Sequence, residues 1–111
     1  MSDKPNKIRV LNKLGSNNIH EIMEAQGGKV YSRILSDDEY KRALYDKLQE
    51  EVAEFLETPI PEELADILNV INALAPIIAG SMEELEKIRL AKVKIRGGLD
   101  KKIFITEIHD K

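Results

Sequence analysis

The chain has 111 residues, of which 42% are hydrophobic and 33% charged, and its formal net charge is -3. This length fits one domain, residues 1–111. The net negative charge gives no electrostatic support for binding nucleic acid, and the absence of cysteine excludes disulfides, thiol catalysis and Cys-based zinc sites. No apolar run reaches the ~18 residues of a membrane span. The N-terminus has no signal-like apolar stretch. We therefore expect a cytoplasmic protein with no membrane partner.

The first 35 residues predict little regular structure. Residues 1–7 are polar and form a loose lead-in. A short helix is expected over about 17–26, because a polar start at 16–18 precedes it and Gly27-Gly28 follows it. Residues 29–35, KVYSRIL, alternate in polarity. They fit either a short strand paired with 102–108, KIFITEI, or an extended arm that contacts another subunit.

The first long helix is predicted over 37–57. Ser36 stands three residues before Glu39, which has the form of a capping box. An apolar stripe at the helical period follows, and Glu51 falls inside it, with Lys47 and Glu54 at its edge. A carboxylate on the core side of a helix is costly unless it is paired or bound to a metal. This placement is the first functional signal in the chain.

The second long helix begins at Pro61, a favourable first-turn residue, and Pro76 should kink or end it. It is apolar nearly all round, so we expect it to be the central buried helix. Two of its acids are placed towards the core side: Glu63 projects in the arc of Val70 and Leu74, and Asp66 lies beside that arc. Asn69 lies close to Asp66 in projection and fits either a helix-packing residue or a site residue.

A third long helix is predicted over 82–96, after a second capping box from Ser81 to Glu84. A basic stripe that includes Lys92 and Arg96 borders its apolar face. These cations fit equally well ion pairs at a helix edge or contacts with phosphate. The prediction is an all-α fold of three principal helices and one short one. The apolar central helix exceeds what two flanking helices can cover, which favours an oligomer.

Four acids form two pairs with the same spacing, Glu51 with Glu54 and Glu63 with Asp66. Residues three apart share a helix face, so two antiparallel helices would bring all four into one cleft. Carboxylate oxygens are the ligands of hard cations such as Mg²⁺ or Mn²⁺. The alternative for an EExxE pattern is a solvated helix face.

The two acidic segments, EEVAE at 50–54 and EELAD at 62–66, resemble the EExxE…ExxD signature of the MazG-like nucleotide pyrophosphohydrolases. The chain looks most similar to the short members related to phosphoribosyl-ATP pyrophosphohydrolase. The likeness extends to YSRILSDDEYKRALYDKLQEEVAEFLE, EELADILNVINAL and KVKIRGGLDKKIFI. It covers roughly residues 13–105.

This resemblance implies a helical homodimer or homotetramer that cleaves nucleotides between the α- and β-phosphates, with Mg²⁺ or Mn²⁺. The monophosphate and pyrophosphate would be the products. Glu51 or Glu54, or a metal-bound water that the acids orient, would start the attack. The implied metal ligands are Glu51, Glu54, Glu63 and Asp66. The residues expected to contact substrate are Lys47, Asn69, Lys92, Lys94 and Arg96.

One segment departs from the family pattern. Relatives tend to read KLVRDKIPEII where this chain reads KLGSNNIHEIM, from Lys13 to Met23. Ser16, Asn17, Asn18 and His20 stand in place of an Arg, an Asp, a Lys and a Pro. Loss of those charges would remove or change the grip on substrate. Two alternatives to the enzyme therefore stand: a non-catalytic module that binds nucleotide or protein, and a structural oligomer. The structural oligomer predicts salt bridges from Glu51 and Glu63 to Lys47, Arg89 or Lys92.

Overall fold

The computed structural model describes residues 7–111, and within them the chain forms four α-helices and no strand. The helices are α1 (Ile19–Ala25), α2 (Asp37–Glu57), α3 (Pro61–Ala79) and α4 (Met82–Arg96). The predicted all-α class is confirmed, and so are the bounds of α2 and α4. The backbone divides into two compact units, of which the first ends at Leu74 and the second is Ala75–Lys111.

The start of α2 has the capping box that the sequence predicts. The Ser36 hydroxyl accepts a hydrogen bond from the Glu39 backbone N–H, and the Glu39 carboxylate accepts one from the Ser36 N–H. Arg33 adds two hydrogen bonds to the same carboxylate, at 2.7 and 3.1 Å. These contacts satisfy donors that a helix leaves open at its first turn. The start of α2 is therefore determined locally.

The start of α4 differs from its prediction. The Ser81 hydroxyl accepts from the Glu84 N–H at 3.0 Å, but the reciprocal bond of a capping box is not formed. The Glu84 carboxylate instead pairs with Lys87, at 3.2 Å. A lysine one turn along the helix competes for the carboxylate with the backbone N–H of the cap. The helix nevertheless begins at the predicted residue and ends at Arg96, followed by Gly97 with a φ of 85°.

Two expectations for α3 need correction. Of the two effects expected of Pro76, an end of the helix is wrong, because the helix continues to Ala79 and the missing N–H removes only one backbone hydrogen bond near its C-terminus, while a kink stays a prediction. The helix is also not buried all round. Val70 is buried, but Leu64 and Leu68 are 53% and 58% exposed, because a helix packed on one side covers only one face. The expected self-association stays a prediction.

The predicted pairing of residues 29–35 with 102–108 is wrong, since neither segment forms a strand. The first segment is held by side chains of α1. Glu24 accepts from the Val30 N–H at 3.4 Å, and His20 Nδ1 lies 2.7 Å from Ser32 Oγ. An isolated pair of strands is marginally stable, whereas these contacts come from an adjacent helix. The alternative, an arm that contacts another subunit, is untested.

Within residues 7–111, no single helix has both the length and the apolar character of a membrane span. Only α3 and α4 taken together, as a bent pair, meet that test, by length and composition alone.

Candidate metal centre

Glu51 is the buried carboxylate of the first unit. It lies seven residues, close to two full turns, after Leu44 on α2, so both side chains point to the same side of the helix. Leu44 is 2% exposed and Glu51 is 6% exposed. Glu51 is therefore buried because it lies on the same apolar face of α2 as Leu44. This confirms the orientation that the periodicity predicts.

Two acids of α3 meet Glu51. Glu63 stands in the first turn of α3, and Asp66 follows it one turn later on the same face. One carboxylate oxygen from each of Glu51, Glu63 and Asp66 lies within 4.8 Å of the other two. We call these three residues the carboxylate cluster. The link of residues 58–60 is short enough to return α3 alongside α2, which brings the two helices' acids together.

Two oxygens of the carboxylate cluster have no hydrogen-bond partner in the described part of the chain. They are Oε2 of Glu51 and Oε2 of Glu63, and both atoms are buried. A buried charged oxygen without a partner is costly. Hard divalent cations take oxygen ligands of this kind, so the donor set fits such an ion. The three residues could hold a metal, and the geometry by itself does not select Mg²⁺.

The electrostatics of Glu51 reflect this arrangement. Burial raises the pKa of the Glu51 carboxyl above its ordinary value, and the Lys47 ammonium opposes that rise. The negative charges of Glu54 and Asp66 raise the pKa further. Desolvation and like charges both disfavour the ionised form. A bound cation would act in the opposite direction and favour the carboxylate.

Two lysines lie beside the carboxylate cluster. Lys47 Nζ is 3.3 Å from Glu51 Oε1 and 3.4 Å from Glu50 Oε2. Lys13 Nζ is 2.7 Å from Glu50 Oε1. The Lys13 contact lowers the pKa of the Glu50 carboxyl and raises that of the Lys13 ammonium. The salt bridge of Glu51 to Lys47 is one that the structural-oligomer alternative predicts, but Glu63 has no ion pair within residues 7–111.

Sequence reasoning missed Lys13 and Glu50 as residues beside the cluster. Glu50 projects outside the apolar stripe of α2, so periodicity assigns it to solvent. The available signal was the spacing of Glu50 three residues after Lys47, which places both on one face. Lys13 opens the KLGSNNIHEIM segment, and no helical spacing relates it to Glu50, which follows 37 positions later.

The other predicted site residues lie outside the cluster. Glu54 is exposed and is not among the three acids that meet, although its charge acts on Glu51. Asn69 is exposed on α3, one turn after Asp66. The predicted phosphate contacts of α4 lie in the second unit and are all exposed: Lys92, Lys94 and Arg96.

Comparison with known proteins adds no relative: no family model, no curated protein and no solved structure matches the chain.

Proposed function

We propose that the protein is a Mg²⁺-dependent nucleotide pyrophosphohydrolase of the MazG-like type. The observation that carries the proposal is the carboxylate cluster, in which two helices bring three acids within 4.8 Å and leave two buried oxygens without partners. The resemblance of the two acidic segments to the EExxE…ExxD signature supports the same function. In the proposed reaction, water adds across the anhydride between the α- and β-phosphates, giving a nucleoside monophosphate and pyrophosphate.

In this proposal Glu51, Glu63 and Asp66 hold the cation. When bound, Mg²⁺ would offset the charge of the phosphate oxygens and polarise the phosphorus toward attack. Glu54 is the proposed general base, because it is exposed, stands three residues after Glu51 on α2 and is not one of the three meeting acids. Its role is to orient the attacking water and to accept the proton that the water loses.

The proposed substrate contacts come from cations and one amide. A substrate contact by Lys47 is supported by its Nζ, which lies 3.3 Å from Glu51 Oε1 at the edge of the cluster. A substrate contact by Asn69 is supported by its position on α3, one turn after Asp66. The contributions of Lys92, Lys94 and Arg96 rest on the resemblance alone.

A second function, a non-catalytic module that binds nucleotide, is favoured by one specific observation. Ser16, Asn17 and Asn18 stand where the family has an Arg, an Asp and a Lys. On this alternative the carboxylate cluster still binds a cation, but no nucleotide is hydrolysed.

The deciding experiment measures pyrophosphate release with Mg²⁺ or Mn²⁺ from a panel of nucleoside triphosphates, deoxynucleoside triphosphates and phosphoribosyl-ATP. Glu51→Gln and Asp66→Asn should each lower release by more than about 100-fold, because loss of a ligand should exceed the effect of an outer-shell change. Glu57→Gln is the matched control, since Glu57 is exposed on the same helix. Cation binding without release from any nucleotide would favour the binding module. Full activity in both site variants would refute the proposed metal site.

A further inference from the structure

The Glu50 carboxylate joins two lysines that lie 34 residues apart in the chain. Its Oε1 contacts Lys13 Nζ at 2.7 Å and its Oε2 contacts Lys47 Nζ at 3.4 Å. An ion pair between residues three or four apart on one helix stabilises only that helix. The Lys13 contact differs because it fastens the segment before α1 to α2. It does so one residue from the buried Glu51.

Both ammonium groups keep capacity for another ligand. A lysine has three N–H donors, and within residues 7–111 Lys13 uses one of them, on Glu50. Lys47 is directed at Glu50 and at one oxygen of Glu51, while the other oxygen of Glu51 has no partner. Each lysine therefore keeps N–H donors for a phosphate oxygen while it stays paired with Glu50, and the Lys13 and Lys47 side chains are 48% and 21% exposed. The two ammonium groups contact different oxygens of Glu50, and Glu50 precedes Glu51 of the carboxylate cluster in the chain.

We propose that Lys13 and Lys47 form a two-lysine clamp for the phosphates of the substrate, and that Glu50 is the positioning residue that holds them together. This inference rests on the proposed function and extends it to the segment before α1, which the metal site does not include. The clamp would bind phosphate oxygens that point away from the cation. Pyrophosphate, a proposed product, carries enough oxygens to contact the cation and both lysines at once.

A positioning role for Glu50 and a purely electrostatic role predict opposite effects of Glu50→Gln on the binding of a polyanion. In Glu50 the two lysines contact different oxygens, whereas glutamine keeps one acceptor oxygen and replaces the other with an N–H₂ donor, so it cannot hold a lysine at each end of the group. Glu50→Gln also removes a negative charge from the site. If only charge mattered, the variant would bind a polyanion more tightly. If Glu50 positions the lysines, the variant binds it more weakly.

The test is a calorimetric titration with inorganic pyrophosphate in the presence of Mg²⁺, alongside a titration with Mn²⁺ alone. Lys13→Met, Lys47→Met and Glu50→Gln should each weaken pyrophosphate binding by about tenfold, the effect of losing a charge-assisted contact. Mn²⁺ affinity should stay within about threefold in Lys13→Met and Glu50→Gln, because the carboxylate cluster is intact. Lys41→Met is the matched control, since Lys41 is exposed on α2 and makes no ion pair within residues 7–111.

The outcomes separate this inference from the function on which it rests. Unchanged pyrophosphate affinity in both lysine variants, or tighter binding by Glu50→Gln, would overturn the clamp and leave the metal site standing. Absence of Mn²⁺ binding by the wild-type chain would overturn the metal site and the clamp together. Thermal melts of each variant identify any loss of binding that comes from unfolding. In that case Lys13→Arg and Lys47→Arg, which keep the charge, should restore folding and part of the affinity.

Discussion

Two glutamates on the same helix have opposite environments. Glu39, at the start of α2, accepts hydrogen bonds from Arg33 and from the Ser36 backbone, and these lower its pKa to about 2. Glu51, more than three turns later, is 6% exposed and has one oxygen with no partner in the described chain. Burial raises its pKa. The side chains are chemically identical, so the difference lies in what surrounds each one.

Glu39 is a structural carboxylate, whereas Glu51 is a candidate functional one. The contacts of Glu39 satisfy its charge and order the first turn of the helix, so they contribute to stability. The position of Glu51 costs stability unless something else binds it. A position that costs stability and converges with two further acids is therefore where we expect a ligand. The following three experiments test this contrast.

The largest expected effect is cation-linked stability. A cation that binds only the folded chain should raise the free energy of unfolding by about 2.7 kcal/mol at a concentration 100 times its Kd. Urea denaturation with and without Mg²⁺ measures this increase. Glu51→Gln should abolish it, whereas Glu39→Gln should leave it intact, since Glu39 is not in the carboxylate cluster. An equal increase in both variants would place the cation elsewhere.

The second effect is a difference in sign between two changes in the free energy of unfolding, both measured without metal. Ser36→Ala should lower the free energy of unfolding by about 1 kcal/mol, because it removes a helix cap. Glu51→Gln should raise it by about 1 kcal/mol, because a neutral amide is less costly to bury and can donate to Glu63 or Asp66. Urea melts in chelator measure both, with Glu57→Gln as the exposed control. Destabilisation by Glu51→Gln would show that its ion pair with Lys47 outweighs its burial.

The smallest effect is the pH dependence that each glutamate contributes. Glu39 has a lowered pKa in the folded chain, so its contribution is present above its ordinary value of 4.5 and is lost as the pH falls toward about 2. Glu51 has a raised pKa, so its contribution is present below 4.5 and is lost as the pH rises through that raised value. Wild-type stability minus that of Glu39→Gln should therefore rise with pH, and the same difference for Glu51→Gln should fall. Urea melts in chelator across this range measure both slopes, and parallel slopes would contradict the comparison.

The most predictable features are those with short-range causes. The bounds of α2 and α4 follow from a serine at each N-cap and from the apolar period of each helix. The orientation of Glu51 follows from the same period. The meeting of Glu51 with Glu63 and Asp66 was predictable because a short Pro-containing link joins two amphipathic helices. Glu54 was expected among the ligands by its spacing, but a shared face does not bring every acid on it to the same point.

The sequence by itself determined the helices, the all-α class and the side of α2 on which Glu51 lies, because capping and periodicity act over a few residues. Only the tertiary structure decided that Glu54 lies outside the carboxylate cluster, which oxygens lack partners and that residues 29–35 bind α1 instead of forming a strand. It also decided the contact of Lys13 with Glu50, which spans 37 positions in the chain. Such contacts depend on how packed elements meet in space, and no local pattern of residues encodes that distance.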